Sequence, residues 1–231
     1  MAKIIITGSE GLIGKEIVDF FIGKKYNVIR CDIALGHDLT NESFVKKYFL
    51  ENDADYLLNL FAFNDHVTNS NTTNNLFDIS LNSFEKYMSV NLTALFSVCR
   101  EYARNNKVGA IVNVSSLYSS LSPDPILYKS NTLDPKEKHI AYGVTKAGVE
   151  QLTRHLSVHL APHIRVNCVA PGGIGEASQP DHFVNKFTNK TPMKRMMKQS
   201  DLYGIFLYLC SEYSSYTTGQ TFRINGGYGL T

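Results

Sequence analysis

Short apolar runs alternate along this chain with longer stretches of helical period, and this alternation restricts the possible folds more than any other sequence feature. Five runs are rich in Ile, Val and Leu, have the length of a strand and end in polar or turn residues. They cover residues 3–7, 27–31, 56–61, 110–115 and 164–169. Continuous apolar runs are typical of strands covered on both faces, so the pattern predicts a buried parallel sheet.

The stretches between these strands have apolar residues at spacings of three and four, the repeat of an amphipathic helix. They cover residues 12–24, 41–52, 81–105 and 140–160, and a helix at 201–212 precedes a last strand at 220–224. Right-handed crossovers place such helices on both faces of a sheet. The sequence therefore predicts an α/β fold with a three-layer, doubly wound parallel sheet, the Rossmann fold. Ligands of such sheets bind at the carboxyl ends of the strands.

Length and charge restrict the class of protein further. The 231 residues suit a single domain over 1–231. The 23 Lys and Arg nearly balance the 21 Asp and Glu, which argues against nucleic acid or anionic lipid as partner. The sequence shows no apolar stretch of membrane-span length and no signal-peptide pattern after Met1. We therefore expect a cytoplasmic protein that acts on a small molecule.

The cysteines predict neither a disulfide framework nor a metal site. They are far apart, and each lies in an apolar run, which favours buried free thiols. Their positions are Cys31, Cys99, Cys168 and Cys210.

A glycine-rich turn joins the first strand to the first helix. It reads Thr-Gly-Ser-Glu-Gly-Leu-Ile-Gly from Thr7 to Gly14. Its glycines allow a sharp turn and a close approach to a pyrophosphate, and the helix N-terminus adds N–H donors. A strand-to-helix turn without a ligand has the same pattern, so the turn alone does not establish a nucleotide site. The candidate cofactor contacts in it are Gly8, Ser9, Glu10, Leu12 and Ile13.

A carboxylate after the second strand favours a dinucleotide. Asp32 follows Gly14 by 18 residues, where a carboxylate accepts hydrogen bonds from the ribose hydroxyls of an adenosine and repels a 2′-phosphate. Glu10 adds negative charge, whereas Arg30 favours a 2′-phosphate. The sequence therefore favours NAD(H) and does not exclude NADP(H). Further candidate contacts near the adenosine are Ile33, Asp38 and Leu39, although an Asp shortly before a helix is also a common cap.

A tyrosine and a lysine lie one turn apart at the start of the helix predicted at 140–160. Tyr142 and Lys146 share a helix face, where the ammonium favours the phenolate. A free tyrosine has a pKa near 10, so proton transfer at neutral pH requires a pKa lower by about three units. Taken alone, such a pair is more often part of a solvated helix face.

Three further segments change that interpretation. A Ser-Ser pair after the fourth strand ends at Ser116, Asn91 lies within the helix at 81–105, and Pro171 begins a Pro-Gly-Gly-Ile segment. With the glycine turn and the pair Tyr142 and Lys146, these motifs resemble the short-chain dehydrogenase/reductase family over nearly the whole chain. The chain length resembles the compact, single-domain branch of that family.

The resemblance implies a role for each of these positions. Tyr142 would be the general acid/base, and Lys146 would lower the tyrosine pKa and bind the nicotinamide ribose. Ser116 would hydrogen-bond the substrate oxygen, and Asn91 would hold a water that relays protons. The implied cofactor contacts also include Leu60, Phe61, Val90, Pro171, Gly172 and Ile174.

The resemblance also implies self-association to a dimer or tetramer through the helices at 81–105 and 140–160. The second of these helices has an apolar stripe at spacings of three and four, which would equally suit burial against its own sheet. The stripe consists of Val149, Leu152, Leu156 and Leu160.

The segment between Ser116 and Tyr142 is much longer than the family pattern. We expect residues 119–139, here called the insertion, to form a lid or wall over the substrate pocket, because both ends of the segment lie near the reacting carbon. The insertion and residues 175–192 are polar in sequence, which favours a sugar or sugar-nucleotide substrate. A likeness to oxidoreductases of bacterial surface-glycan and flagellin-glycosylation pathways also favours such a substrate.

Two other functions remain open from the sequence. The first is reduction of a small keto compound or a 3-oxoacyl carrier substrate by the same chemistry. The second, from a different class, is a non-catalytic NAD(H)-binding sensor.

Overall fold

Six parallel strands form the central sheet of the structure, a computed structural model that describes residues 1–64, 76–129 and 137–230. The strands are β1 Lys3–Thr7, β2 Asn27–Cys31, β3 Tyr56–Asn59, β4 Gly109–Val114, β5 Ile164–Pro171 and β6 Thr221–Ile224. Their order is β2-β1-β3-β4-β5-β6, and each neighbouring pair is parallel. The order reverses between β1 and β3, which places a crevice at the carboxyl ends of these strands.

Helices cover both faces of this sheet. They are α1 Gly14–Gly23, α2 Glu42–Glu51, α3 Leu81–Met88, α4 Ala94–Asn105, α5 Ile140–Leu160, α6 Asp181–Asn189 and α7 Tyr203–Leu209. On one face, Ile5 packs in a core with residues of α2, α4 and α5. On the other face, Ile4 and Ile6 pack with residues of α1 and α7. The alternation of neighbouring strand residues between two buried cores confirms the predicted three-layer, doubly wound fold.

Several element boundaries differ from the sequence prediction. The helix predicted at 81–105 contains a π-helical segment, Ser89–Thr93, between α3 and α4. The polar segment before the last helix contains α6, whose Phe187 is buried. The last helix is α-helical only over Tyr203–Leu209, with 3₁₀ turns on both sides. Phe187 packs in a buried cluster with residues from distant segments, contacts that the local periodicity of the sequence does not reveal.

The structure bears on what the sequence predicted for the cysteines and for a metal site. The four cysteines are buried and form no disulfide. Within the described ranges, no group of three or more His, Cys, Asp or Glu side chains is arranged to hold a metal ion. None of the helices described has the length and apolar character needed to cross a membrane.

Candidate active site

A cavity of about 750 Å³ lies at the carboxyl ends of the strands. Each of the first five strands contributes a lining residue at or just beyond its end. These residues are Gly8, Asp32, Leu60, Ser116 and Pro171. The cavity therefore brings together most candidate residues from separate parts of the chain, as expected for a doubly wound sheet.

The glycine turn fits close approach by a phosphate group. Gly8 has a positive φ of +71°, and an added Cβ would lie 2.5 Å from the backbone nitrogen of Phe61. A Cβ on Gly14 would lie 2.0 Å from the carbonyl oxygen of Gly8. Ile13, the residue before α1, makes no side-chain cap to the helix. The N-terminal end of α1 therefore lies at the cavity with no side chain capping its first N–H groups, which suits a pyrophosphate.

Asp32 is held as a buried carboxylate next to this turn. Its two oxygens accept hydrogen bonds from the backbone N–H groups of Glu10, at 2.9 Å, and Ala34, at 2.8 Å. Arg30 forms an ion pair with Glu10 at 3.5 Å, so its charge is already balanced at this end of the cavity. The Ser9 hydroxyl donates to the Glu10 carboxylate at 3.0 Å. Ser9 is fully buried and does not line the cavity, in contrast to its expected place among the cofactor contacts.

The segment after β2 forms the far end of the cavity. Ile33, Asp38 and Leu39 line it as expected. Asp38 is not the cap of α2, because its carboxylate accepts hydrogen bonds from Thr40, which lower its pKa, and the cap is Asn41. His37 also lines this end and was missed in the sequence. Its buried Nδ1 has no hydrogen-bond partner among the described residues, and no sequence motif marks it.

Ser116 and Tyr142 meet at the opposite end of the cavity. The Ser116 hydroxyl accepts a hydrogen bond from the backbone N–H of Tyr118 at 3.2 Å. Its proton is therefore free to point toward the Tyr142 phenol, which lines the same end of the cavity. Burial raises the pKa of Tyr142, and the neighbouring Ser116 hydroxyl partly offsets this increase. Loss of hydration disfavours the charged phenolate in this buried site, so the lowering of the tyrosine pKa by Lys146 together with an oxidised nicotinamide stays a prediction.

Lys146 is buried beneath the tyrosine. Its ammonium donates to the carbonyl oxygen of Val114 at 2.9 Å and lies 5.9 Å from the centre of the Tyr142 ring. Burial lowers the pKa of Lys146 to about 8. A second ammonium, that of Lys138, lies 4.5 Å from the same ring centre. The sequence placed Lys146 on this helix face, but Lys138 reaches the tyrosine only through the fold of the insertion.

Asn91 lies in the π-helical segment and is buried, so it is not a helix-surface residue. Its side chain accepts from the backbone N–H of Phe63 at 2.6 Å and donates to the Phe63 carbonyl at 3.0 Å. It also donates to the Thr145 hydroxyl at 3.2 Å. Asn91 therefore connects the segment after β3 to α5 and does not itself line the cavity. Its neighbour Val90 does line it.

Aromatic side chains form the wall of the cavity opposite the glycine turn. They are Tyr118, Tyr128, Phe183 and Phe187. The Tyr128 hydroxyl donates to that of Tyr118 at 2.9 Å. The polar lining expected from the sequence is therefore incomplete, because the aromatic residues of these segments turn inward and pack in one cluster. The spacing of four between Phe183 and Phe187 was the sequence signal for this helical wall.

The described part of the insertion packs against α6. The Lys186 ammonium donates to the carbonyl oxygens of Ile126 and Lys129, both at 2.8 Å. Lys129 also forms an ion pair with Glu137 at 3.7 Å. Residues 130–136 of the insertion lie outside the described residues. Its described part forms one wall of the cavity, as expected.

Comparisons with known proteins agree with this geometry. The chain matches the family model described as Enoyl-(Acyl carrier protein) reductase over residues 15–229. It is 30% identical to the 3-oxoacyl-(acyl-carrier-protein) reductase FabG of Aquifex aeolicus, over 98% of this chain and 87% of that protein. It is 27% identical to glucose 1-dehydrogenase 2 of Bacillus subtilis, over 98% of this chain and 94% of that protein.

Solved structures show the same relationship. A short-chain dehydrogenase from Leptospira borgpetersenii with bound NAD+ has 31% sequence identity and a TM-score of 0.85, covering 98% of this chain and 92% of that chain. A gluconate 5-dehydrogenase from Burkholderia cenocepacia in complex with NADP and tartrate shares the fold at 20% identity and a TM-score of 0.82, covering 100% of this chain and 96% of that one. The chain belongs to the short-chain dehydrogenase/reductase family and is an oxidoreductase of alcohol and ketone substrates.

Proposed function

We propose that the protein is an NAD(H)-dependent oxidoreductase that interconverts a secondary alcohol and a ketone with Tyr142 as general acid/base. The observation that carries this proposal is the grouping of Ser116, Tyr142 and Lys146 at one end of the cavity that has Asp32 at its other end. Loss of turnover in Tyr142→Phe, with the affinity for NADH retained, is the result that tests it.

The roles follow from the geometry of these side chains. A bound nicotinamide supplies or accepts the hydride. In the reductive direction Tyr142 donates its phenolic proton to the carbonyl oxygen, and Ser116 donates a hydrogen bond to that oxygen. Lys146 places a positive charge next to the phenolate that results. Asn91 holds the segment after β3 against α5.

The carboxylates near the glycine turn support a preference for NAD(H). Asp32 has one face toward the cavity and both oxygens held by backbone N–H groups. A 2′-phosphate next to it would experience repulsion from Asp32 and Glu10, and Arg30 is already paired with Glu10.

Replacement of Asp32 by Ala is expected to reduce the ratio of NADH to NADPH affinity by about tenfold or more. The reason is that the variant loses the ribose hydrogen bonds and the repulsion of the phosphate together, each of which contributes about 1 kcal/mol or more. Titration of both cofactors by fluorescence measures this ratio. Glu51→Ala, at an exposed carboxylate on α2, is the control. Wild-type protein that binds NADPH at least as tightly as NADH would contradict the preference.

For the substrate, we propose a sugar or sugar-nucleotide hydroxyl. Tyr118 and Tyr128 provide aromatic faces and phenol groups in the cavity, a combination that suits a ring with several hydroxyls. The glucose 1-dehydrogenase relative supports this class, whereas the 3-oxoacyl reductase relative and the two phenylalanines of α6 favour the alternative. The proposal that the protein acts in surface-glycan biosynthesis rests on the sequence resemblance alone.

A turnover panel separates these substrate classes. We expect NADH formation with sugar or sugar-nucleotide alcohols at kcat/KM about tenfold or more above that with 3-hydroxyacyl thioesters, because only the former match the polar groups of the wall. Faster turnover of the thioesters would select the 3-oxoacyl alternative. NADH binding with no turnover of any panel member would select the sensor.

Self-association to a dimer or tetramer is a further part of the proposal. The stripe expected to mediate it is instead turned toward the protein's own sheet, where Val149 and Leu156 are buried. Other apolar side chains on these helices are exposed: Leu81, Phe96, Val144 and Val158. We expect a dimer or larger mass by light scattering at micromolar concentration, because these side chains favour burial. A monomer mass would contradict this expectation.

A further inference from the structure

A buried carboxylate on α5 holds the turn that presents Ser116. Glu150 lies one helical turn beyond Lys146 and is 7% exposed. One of its carboxylate oxygens accepts a hydrogen bond from the Ser119 hydroxyl. A buried carboxylate is costly unless it is paired, and Arg223 of β6 lies 3.4 Å from its other oxygen. Arg154 lies at 4.0 Å.

The partner of Glu150 belongs to the same 3₁₀ turn as Ser116. Ser116 is the cap of this turn, Leu117–Ser119. The Ser116 carbonyl oxygen accepts a hydrogen bond from the Ser119 backbone N–H at 3.0 Å. It also lies 2.6 Å from the Ser119 hydroxyl oxygen, so the single hydroxyl proton is shared between this carbonyl and the Glu150 carboxylate. The Ser119 hydroxyl therefore bridges Ser116 and Glu150. A shift of Ser119 would displace the Ser116 backbone and with it the Ser116 hydroxyl.

The spacing of residues along α5 connects this bridge to the active site. Tyr142, Lys146 and Glu150 follow one another at intervals of four residues, so one side of the helix carries the phenol, the ammonium and the carboxylate. The Ser116 turn and Tyr142 are thereby both held by the same rigid helix. Distances between groups fixed to one rigid element vary less than distances between separate loops.

We propose that Glu150, acting through Ser119, is a positioning residue that sets where the Ser116 hydroxyl lies relative to the Tyr142 phenol. This inference rests on the proposed function of Ser116 and Tyr142 in proton transfer. Glu150 contacts neither the cavity nor the reacting atoms. Its effect on the reaction passes through the direction of the Ser116 hydroxyl.

The test measures the pKa of Tyr142 in the full-length chain without requiring turnover. The chain carries ¹³Cζ-tyrosine, and the Tyr142→Phe variant assigns the resonance among the 13 tyrosines. Ser116→Ala is expected to raise the Tyr142 pKa by about half to one unit, the effect of losing one hydrogen bond to the phenolate. Ser119→Ala and Glu150→Leu are expected to raise it by a similar amount. The other groups that face Tyr142, which are Lys138, Lys146, Tyr118 and Tyr128, stay unchanged in these variants.

Two further variants distinguish positioning from a general structural effect. Glu150→Gln keeps an oxygen that accepts from Ser119, so it is expected to return the Tyr142 pKa to the wild-type value. Ser120→Ala removes the neighbouring hydroxyl, which lies 3.4 Å from Arg223, and is expected to have no effect. The double variant Ser116→Ala, Ser119→Ala is expected to match Ser116→Ala alone, because the bridge acts only through Ser116.

The outcomes separate this inference from the proposed function. An unchanged Tyr142 pKa in Ser119→Ala overturns the inference, whether or not Glu150→Leu folds. An unchanged pKa in Ser116→Ala also overturns it, since Ser116 would then not act on Tyr142. Retained turnover in Tyr142→Phe would overturn the proposed function through a separate measurement and leave the titration result interpretable.

Discussion

Replacement of Tyr142 by Phe is expected to lower kcat by about 10²–10⁴-fold, the usual contribution of a general acid/base. The phenol lines the same end of the cavity as Ser116, and the change removes its proton and little else. The dissociation constant for NADH should stay near the wild-type value, because the glycine turn and Asp32 hold the other end of the dinucleotide. Stopped-flow turnover and fluorescence titration measure the two quantities.

A matched control for this experiment is Tyr128→Phe. This change also removes one phenolic hydroxyl from the cavity, but the hydroxyl bonds to Tyr118 and not to Ser116. It should alter KM more than kcat, since it touches the wall and not the reacting oxygen. Turnover by Tyr142→Phe at the wild-type rate would exclude Tyr142 as the acid/base.

Replacement of Lys146 by Met is expected to abolish most activity and to stabilise the fold at neutral pH. Burial lowers the pKa of Lys146 from 10.5 to about 8, which corresponds to a penalty of about 3 kcal/mol on the charged form. Loss of the hydrogen bond to Val114 offsets about 1 kcal/mol of the gain. A net gain of about 2 kcal/mol raises the melting temperature by about 4–8 °C in a chain of this size.

The pH dependence of this effect follows from the direction of the shift. Between pH 8 and 10.5 the unfolded chain keeps the lysine proton that the folded chain has lost, so the stability of the wild type rises with pH in this window. Below pH 8 both states are protonated and the burial penalty is fully present. The advantage of the Met variant should therefore be largest below pH 8 and vanish toward pH 10.5.

Differential scanning calorimetry at pH 7 and at pH 9.5 checks this prediction. Lys47→Met, at an exposed lysine of α2, is the control and should change the melting temperature little. A Lys146→Met protein that melts below the wild type at pH 7 would show that the ammonium is stabilised by its surroundings and not strained by burial. A substitution that lowers activity and raises stability is typical of a buried charged residue with a role in catalysis.

The elements that carry the site were predictable because their signals are local. The strands Lys3–Thr7 and Asn27–Cys31 and the helix Ile140–Leu160 have the predicted bounds. In each case the apolar spacing and the flanking turn residues point to the same element. Because parallel strands end at one edge of the sheet, these positions also predicted which motifs would meet there.

Side-chain direction was not predictable in the same way. The stripe with Val149 and Leu156 has helical spacing, but spacing does not say whether a sheet or a second subunit covers it. In the sequence, Arg30 favours a cofactor with a 2′-phosphate, but in the structure it forms an ion pair with Glu10. The burial of the stripe and the pairing of Arg30 both depend on side chains from other segments of the chain.

The sequence by itself determined the order of strands and helices, the glycine turn and the spacing of Tyr142 and Lys146, because these depend on residues close together in the chain. Only the tertiary structure decided the aromatic wall, the place of Lys138 near the tyrosine and the bridge from Glu150 to Ser116. The physical reason is that burial and hydrogen bonding select partners by their positions in space. Segments far apart in sequence are brought together only when the whole sheet and its helices pack.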